Sequence, residues 1–219
     1  MSDVLVSLRN VSFSFDPDRP VLRACDFSLE RSERVGLLGP NGSGKTTLLA
    51  LIVGLVRPTS GEVEAFGKVR TREADFHEVR ARAGLLFQDA DDQLFCPTVA
   101  EDVAFGPMNL GRSRHDVRRI VAETLQSLGL DGYEDRITYK LSGGEKRLVA
   151  LATVLAMEPD VLLLDEPTSG LDDAATRRVV DIIARLPQAM VVVSHDRALL
   201  DEVTTRRVRL VEGRVEPVG

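Results

Sequence analysis

The chain has 219 residues and 43% hydrophobic content, which allow one α/β domain with a sizeable core, with or without an inserted lobe. Its formal net charge of −6 argues against nucleic acid as a partner, because phosphate binding needs a surplus of Lys and Arg. Two cysteines, Cys25 and Cys96, exclude a disulfide scaffold, a zinc spacing and a CxxC redox pair, and indicate a reducing cytosol. We expect neither a signal peptide nor a membrane-spanning helix, since the N-terminus lacks a leader pattern and the apolar runs are short.

The beginning of the chain has the pattern of short strands. Residues 4–8, 11–15 and 21–29 are rich in β-branched and aromatic residues in partial alternation, which predicts a small, mainly antiparallel β layer. Phe13 and Phe15 lie on the same face of their strand. One of the two rings could stack on a nucleotide base, and ordinary core packing explains each of them equally well.

A glycine-rich loop lies between a buried strand at residues 34–38 and a helix that includes Thr47. It matches the phosphate-binding motif GxxxxGK[ST], with residues Gly39, Pro40, Asn41, Gly42, Ser43, Gly44, Lys45 and Thr46. Thr47, the next residue, is also expected to bind the nucleotide. The glycines let successive backbone N–H groups point inward, and the helix dipole adds positive potential. Lys45 is expected to reach the outer phosphates and Thr46 to give its hydroxyl to Mg²⁺. A chance match is on the order of 1%, so the loop predicts nucleotide binding.

The segment after this helix contains two predicted strands. Residues 62–66 form the first, and a charged, exposed stretch follows at 72–82. The second strand, 83–87, is buried and ends at Gln88. Residues 89–97 are acidic and irregular, which is typical of a solvated loop.

Helices are predicted next. From residue 98 to about 129, apolar residues recur at three-and-four spacing, and Gly106-Pro107 interrupts the first of these helices. Ser142 then precedes an Ala- and Leu-rich helix as its predicted N-cap, with Glu145 as the capping-box partner. The same turn could present a second anion site, formed by residues Ser142, Gly143 and Gly144. The two interpretations are compatible.

Two acids end an unbroken apolar run at residues 161–166. Such a run predicts a strand buried on both faces of a parallel sheet, and ligands bind at the carboxyl ends of such strands. Asp165 and Glu166 point opposite ways, so one could serve the Mg²⁺ shell and the other could polarise a water. An isolated acidic pair usually marks the start of a solvated loop. Because the glycine loop precedes it in this chain, the pair indicates a functional site.

His195 ends a further predicted strand, at residues 189–193. A lone histidine is more often structural than catalytic, but this one lies beside the other two strand-end sites. A closing hairpin is predicted at the end of the chain. The sequence has no internal repeat and no flexible linker, so we expect no second independent domain.

The motifs in combination resemble the ATP-binding cassette (ABC) ATPases over essentially the whole chain. In that family they are the Walker A motif, Q-loop, signature, Walker B motif, D-loop and switch histidine, which correspond here to 39–46, Gln88, 141–145, 161–166, 169–172 and His195. The resemblance implies a P-loop NTPase (RecA-like) α/β core with a small antiparallel β layer and an inserted α-helical lobe. We expect a single ABC ATPase domain over 1–219, with the nucleotide-binding core at 1–97 and 158–219 and the helical lobe at 98–157.

The resemblance also implies a head-to-tail dimer that holds two ATP molecules. Each ATP would lie between the glycine loop of one chain and Ser142–Gly144 of the other, and Phe15 occupies the position of a base-stacking aromatic, usually tyrosine. The implied Mg²⁺ ligands are Thr46, Gln88 and Asp165. The implied catalytic residues are Glu166 as base for the attacking water, His195 at the γ-phosphate, Gln88 and Lys45. Glu145 replaces the glutamine that is more common after the signature glycines.

A narrower resemblance concerns residues 87–95 and 101–111, which are similar to the ATPases of energy-coupling factor importers. It implies a groove for a coupling helix of an integral-membrane subunit. Leu94, Phe95 and Phe105 would face this partner, or they would pack inside the lobe, and the sequence favours neither.

The implied function is an ATPase subunit that dimerises on ATP, with an identical or related chain, and powers such an importer at the cytoplasmic face of the membrane. A transition metal such as cobalt or nickel is the expected cargo. The alternatives are an importer of a vitamin such as biotin, or an ABC ATPase without a transport role. DNA-repair ATPases carry a coiled coil or zinc insertion between Gln88 and Leu141, which is absent here.

Overall fold

The computed structural model describes residues 3–218, and the central strands β3, β6, β7 and β8 coincide with aliphatic runs of the sequence. The ten strands in this part of the chain are β1 Val4–Asp16, β2 Arg19–Glu30, β3 Arg34–Leu38, β4 Ser60–Ala65, β5 Lys68–Val69, β6 Ala83–Leu86, β7 Val161–Asp165, β8 Ala189–Val193, β9 Arg206–Val211 and β10 Arg214–Pro217. The α-helices are α1 Lys45–Ile52, α2 Asp75–Arg82, α3 Val99–Asn109, α4 Arg114–Ser127, α5 Gly143–Leu155, α6 Asp173–Arg185 and α7 Arg197–Val203.

The strands form two sheets. The four-stranded sheet has the order β2-β1-β4-β5 with antiparallel pairing throughout, which confirms the predicted β layer. The six-stranded sheet has the order β10-β9-β3-β8-β7-β6, in which the five strands from β9 to β6 are parallel and β10 pairs antiparallel at the edge. Because the parallel strands share one direction, their carboxyl ends meet at one edge of the sheet.

Alternate residues of the central strands belong to two different hydrophobic cores. Leu163 and Val191 pack in the core that contains α1 and the four-stranded sheet, whereas Leu162 and Val192 pack against helices on the opposite face. All four side chains are fully buried. Successive side chains of a strand point to opposite faces, so an unbroken apolar run is what a strand covered on both sides requires.

The α-helices α3, α4 and α5 pack against one another and form the helical part of the second core. On α4 the buried residues are Val117, Ile120, Val121 and Leu125, which repeat the three-and-four spacing of the sequence. Ser142 caps α5, and Glu145 completes the capping box, as predicted.

Two of the predictions made from the sequence were wrong. Gly106-Pro107 does not interrupt α3, which runs to Asn109 with Pro107 buried inside it. Gly106 packs closely against the segment that follows α5, since a Cβ atom there would come within 2.6 Å of the Met157 side chain. The helix thus continues in a tightly packed environment where the proline removes a hydrogen bond. The stretch predicted as exposed at 72–82 contains α2, whose Phe76 and Val79 are fully buried.

Within residues 3–218, none of the helices combines the length and the apolar character needed to cross a membrane.

Candidate functional site

A cleft of about 810 Å³ lies at the edge where the parallel strands end. The loop after β3 forms one wall, Gln88 follows β6, the acids end β7, and His195 follows β8. The sequence-predicted residues that line this cleft are Phe15, Asn41, Gly42, Gly44, Lys45, Thr46, Thr47, Gln88, Asp165, Glu166 and His195. Motifs far apart in the sequence thus meet around one space, because four parallel strands end there.

The glycine loop curls tightly into α1. Gly42 and Gly44 have φ angles of 75° and 102°, a left-handed conformation that favours glycine. At Gly44 a Cβ atom would lie 2.7 Å from the Val21 side chain, so the position has no room for one. Helix α1 begins at the next residue, which places its N-terminal N–H groups toward the cleft.

The Lys45 side chain folds over the loop that precedes it. Its Nζ donates hydrogen bonds to the carbonyl oxygens of Gly39 at 2.9 Å and Pro40 at 3.1 Å, and only 8% of the residue is exposed. Burial lowers the pKa of this ammonium, while the nearby carboxylates of Glu166 and Asp165 act in the opposite direction. The ammonium therefore sits at the loop, where it can exchange the carbonyls for phosphate oxygens.

Thr46 and Asp165 make a direct contact at the floor of the cleft. Thr46 Oγ1 donates to Asp165 Oδ2 at 2.6 Å, and the aspartate is 3% exposed, so burial raises its pKa. A hydroxyl and a carboxylate are oxygen ligands of the kind that Mg²⁺ prefers. In the described residues no cluster of three His, Cys, Asp or Glu side chains could hold a metal. The donor set fits an ion that takes its remaining ligands from water and a bound triphosphate.

Glu166 and His195 contact each other beyond the ends of the paired strands β7 and β8. The Glu166 backbone is left-handed, at φ 47°, and its N–H donates to Val193 O at 2.9 Å, which fixes the residue at the end of the sheet. Its Oε2 accepts a long hydrogen bond of 3.4 Å from the His195 backbone N–H. Its Oε1 is buried, accepts no hydrogen bond from the described residues, and lies 3.4 Å from His195 Nε2. One buried carboxylate oxygen of Glu166 therefore accepts no hydrogen bond within residues 3–218 and has the His195 imidazole as its polar neighbour.

Phe13 and Phe15 share a strand face, as predicted, but they differ in environment. Their rings meet edge to face with centroids 4.7 Å apart. Phe13 is 7% exposed and belongs to the first core, whereas Phe15 is 72% exposed and lines the cleft. Phe15 is thus the ring of the two that a bound base could contact.

The signature turn does not line this cleft. Ser142 and Gly143 are exposed at the N-terminus of α5, and a Cβ atom added to Gly143 would meet nothing within 4 Å. Glu145 Oε2 accepts hydrogen bonds from the Ser142 N–H at 2.8 Å and its hydroxyl at 2.9 Å. The Ser142 N–H bond, followed by a bond from the Tyr133 hydroxyl, lowers the pKa of Glu145 to about 2. Gly143 lines a neighbouring cleft of about 670 Å³, together with Gln88 and other residues.

Several cleft residues were not predicted from the sequence. They are Val21, Thr168, Thr176, Ser194 and Asp196, whereas Ser169 belongs to the D-loop that the resemblance identified. Most of them flank a predicted motif in the chain, so proximity to the ends of β7 and β8 was the available signal. Gly39, Pro40 and Ser43 belong to the glycine loop but lie outside the walls of the cleft.

An apolar groove lies on another face, between the segment after Gln88 and the helices α3 and α5. Its cavity measures about 240 Å³, and Phe95 and Phe105 line it with 65% and 48% exposure. The two rings meet edge to face with centroids 4.8 Å apart. Leu94 differs, because it packs against the second core. Two of the three residues considered for partner contact are therefore accessible.

Comparison with known proteins places this geometry in a family. The family model described as ABC transporter matches residues 22–169. The energy-coupling factor transporter ATP-binding protein EcfA of Methanothermobacter thermautotrophicus is 42% identical over 219 residues, which cover 98% of this chain and 70% of that protein.

Two solved structures are similar over nearly the whole fold. CbiO1 from Clostridium perfringens, part of the ABC transporter complex CbiONQ, has a TM-score of 0.87 at 30% identity, covering 98% of this chain and 87% of its own. The ATP-binding cassette MJ0796, solved as a post-hydrolysis dimer bound to ADP and phosphate, has a TM-score of 0.87 at 26% identity, covering 98% and 99%. The chain therefore belongs to the ABC transporter family, and within it to the ATP-binding subunits that hydrolyse ATP.

Proposed function

We propose that this chain powers an importer of the energy-coupling factor type, and that its cargo is a transition metal such as cobalt or nickel. The observation that carries the proposal is the accessible apolar groove beside the Q-loop, since an ATPase that works alone has no need of it. The relative named EcfA and the neighbour from the CbiONQ complex support this importer type. The chain would act at the cytoplasmic face of the membrane, held by integral-membrane subunits.

Each of these cleft residues has its own role in ATP hydrolysis. Lys45 releases the loop carbonyls and holds the outer phosphates, while Phe15 stacks on the base. Mg²⁺, held by Thr46, Gln88 and Asp165, would neutralise charge on the phosphates. Glu166 positions the attacking water and accepts its proton at Oε1, the carboxylate oxygen that has no hydrogen bond in the described part of the chain. His195, whose Nε2 lies 3.4 Å from Glu166 Oε1, contacts the γ-phosphate beside it.

The site is completed by a second chain, identical or related. Ser142, Gly143 and Gly144 start α5 outside the main cleft, so a nucleotide in that cleft reaches these groups only from a facing subunit. The dimeric cassette with bound ADP and phosphate supports this arrangement. In this proposal residues 1–97 and 158–219 form the nucleotide-binding core and residues 98–157 form the lobe that carries the signature.

Phe95 and Phe105 receive the membrane subunit. Their rings line one groove, and a helix of the partner would bury apolar area against both of them. Phe87 lines the same groove directly before Gln88, so an occupant of the groove touches the segment that serves the nucleotide.

Reconstitution tests the proposal. The chain is expressed with membrane proteins encoded beside it, purified as a complex and placed in liposomes, and ATP-dependent uptake of Co²⁺, Ni²⁺ and biotin is measured. We expect uptake of Co²⁺ or Ni²⁺ that stops when the chain carries Glu166→Gln. Uptake of biotin with no uptake of Co²⁺ or Ni²⁺ would show that the cargo is a vitamin and not a metal. Failure of the chain to form a complex with any integral-membrane protein would overturn the transport role.

A further inference from the structure

We infer that Arg147 is a positioning residue that couples the two ATP sites of the dimer. The inference rests on the proposed head-to-tail arrangement, in which Gln88 faces the chain's own nucleotide and Ser142 faces the nucleotide of the partner. One chain therefore contributes to both sites, through two segments about 50 positions apart. Arg147 joins these two segments.

The guanidinium reaches from α5 to the backbone at the Q-loop. Arg147 Nη1 donates to the carbonyl oxygen of Phe87 at 2.7 Å, and Nη2 donates to the carbonyl oxygen of Gln88. The residue is 4% exposed and lies in the first turns of the helix that Ser142 caps. Any displacement of the Gln88 backbone therefore acts directly on α5.

A buried guanidinium at this position is more than a packing element. Arg147 makes no ion pair within residues 3–218, and its nearest opposing charges, Asp89 and Asp165, act only at longer range. A buried cation is costly, and an apolar side chain of similar volume would fill the space with less penalty. The two carbonyl contacts are what its charge supplies here, and they tie α5 to Gln88.

Other contacts make the connection stiff. The amide of Gln93 accepts from the Phe87 N–H at 3.1 Å and donates to Ala150 O at 2.9 Å, one helical turn beyond Arg147. Residues 87–93 thus contact α5 at two levels, and a rigid helix moves as a unit. A shift of Gln88 toward its own nucleotide then re-aims the signature turn at the partner's nucleotide, which makes binding at the two sites cooperative.

The Hill coefficient of ATP hydrolysis separates this role from simple stabilisation. With two sites the coefficient has an upper limit of about 2, and we expect the unaltered chain to lie clearly above 1. Arg147→Met keeps an unbranched apolar stem and removes both carbonyl bonds, so the coefficient should fall to about 1 while the ATP-bound dimer of the Glu166→Gln form still assembles. Arg147→Lys retains the charge and can bond one carbonyl, so it should recover part of the cooperativity.

Arg34→Met is the matched control. Arg34 is half-buried and also donates to two backbone carbonyls, those of Ala184 and Leu186, but it contacts neither the Q-loop nor α5. This variant should keep the Hill coefficient of the unaltered chain. Melting temperatures establish that each variant is folded. If Arg147→Met does not fold, the Hill coefficient of Arg147→Lys tests the inference instead.

The outcomes are distinct. A folded Arg147→Met chain that hydrolyses ATP with undiminished cooperativity overturns the inference and leaves the proposed dimer intact. An unaltered chain with a coefficient of 1 does the same. Failure of the Glu166→Gln form to dimerise on ATP, measured by light scattering, overturns the proposed arrangement itself.

Discussion

At the scale of single residues, Glu166 in the cleft is held in a costly backbone conformation that its surroundings maintain. Glu166 has a left-handed backbone, which costs on the order of 1 kcal/mol for a residue with a side chain. Its N–H bond to Val193 holds it there, and the carboxylate then keeps one oxygen without a hydrogen bond. The proposed function uses this oxygen to accept the proton of the attacking water.

Glu166→Gln preserves shape and removes the proton acceptor, so ATP binding should persist while turnover falls by a factor of about 100 or more. Phosphate release and ATP-dependent dimerisation measure the two effects. Glu212 is an exposed glutamate with a similar left-handed backbone, φ 49°, at the β9–β10 turn, and Glu212→Gln serves as the control with unchanged turnover. Unchanged turnover in Glu166→Gln would rule out its role as base.

Lys45→Ala should weaken ATP binding by about tenfold or more, because a hydrogen bond to a charged group contributes ~1.5–3 kcal/mol. Fluorescent-nucleotide titration measures the affinity. Lys68→Ala, which removes an exposed lysine of the four-stranded sheet, is the control and should bind normally. Equal affinity of the Lys45 variant and the unaltered chain would contradict the assignment of the glycine loop.

Glu145 predicts a pH-dependent contribution to stability. Its folded pKa of about 2 lies below the ordinary value near 4.5, so its interactions stabilise the native state above that value and are lost as pH falls toward 2. Glu145→Gln should therefore lower the melting temperature at pH 7 and have a smaller effect at pH 3. A difference between the two chains that is the same at both pH values would show that the charge of Glu145 contributes nothing.

At the scale of elements, packing overrides local preference. Pro107 is buried within α3, and Gly106 is held close to the Met157 side chain that follows α5, so the helix continues where sequence patterns predict a break. The same close approach of α3 and α5 forms one wall of the groove that Phe95 and Phe105 line. Their exposure shows that neither ring is needed for the core.

Phe95→Ser and Phe105→Ser should each reduce co-purification with the membrane subunits while the melting temperature changes little. The apolar area that each ring offers to the partner is lost, whereas the folded chain buries only part of it. Tyr139→Ser is the control, because this aromatic residue is 73% exposed and lies outside the groove. Normal co-purification of both phenylalanine variants would remove the groove from the proposal.

At the scale of the whole molecule, the position of the signature turn determines how many chains the proposed ATP site needs. The main cleft contains the phosphate loop, the acids and His195, and the exposed start of α5 lies elsewhere. An isologous contact, in which the glycine loop of each chain meets the signature turn of the other, closes as a dimer with two equivalent sites.

Complementation tests this arrangement. A chain with Lys45→Ala and a chain with Ser142→Ala should each be nearly inactive, and mixing them should restore hydrolysis because their heterodimer contains one site with both groups intact. Phosphate release before and after mixing measures the recovery. Mixing two samples of the same variant is the control, and activity that does not recover in the mixed pair would contradict a shared site.

The sequence by itself determined the local structure and the chemistry of the motifs. The glycine loop, the capping box of Ser142 and the buried run that ends at Asp165 depend on backbone geometry and side-chain types within a few residues, so they can be read in order along the chain. Only the tertiary structure decided which predicted groups meet. The Thr46–Asp165 bond, the link from Arg147 to Gln88 and the course of α3 through Pro107 depend on contacts between distant segments, which no local pattern encodes.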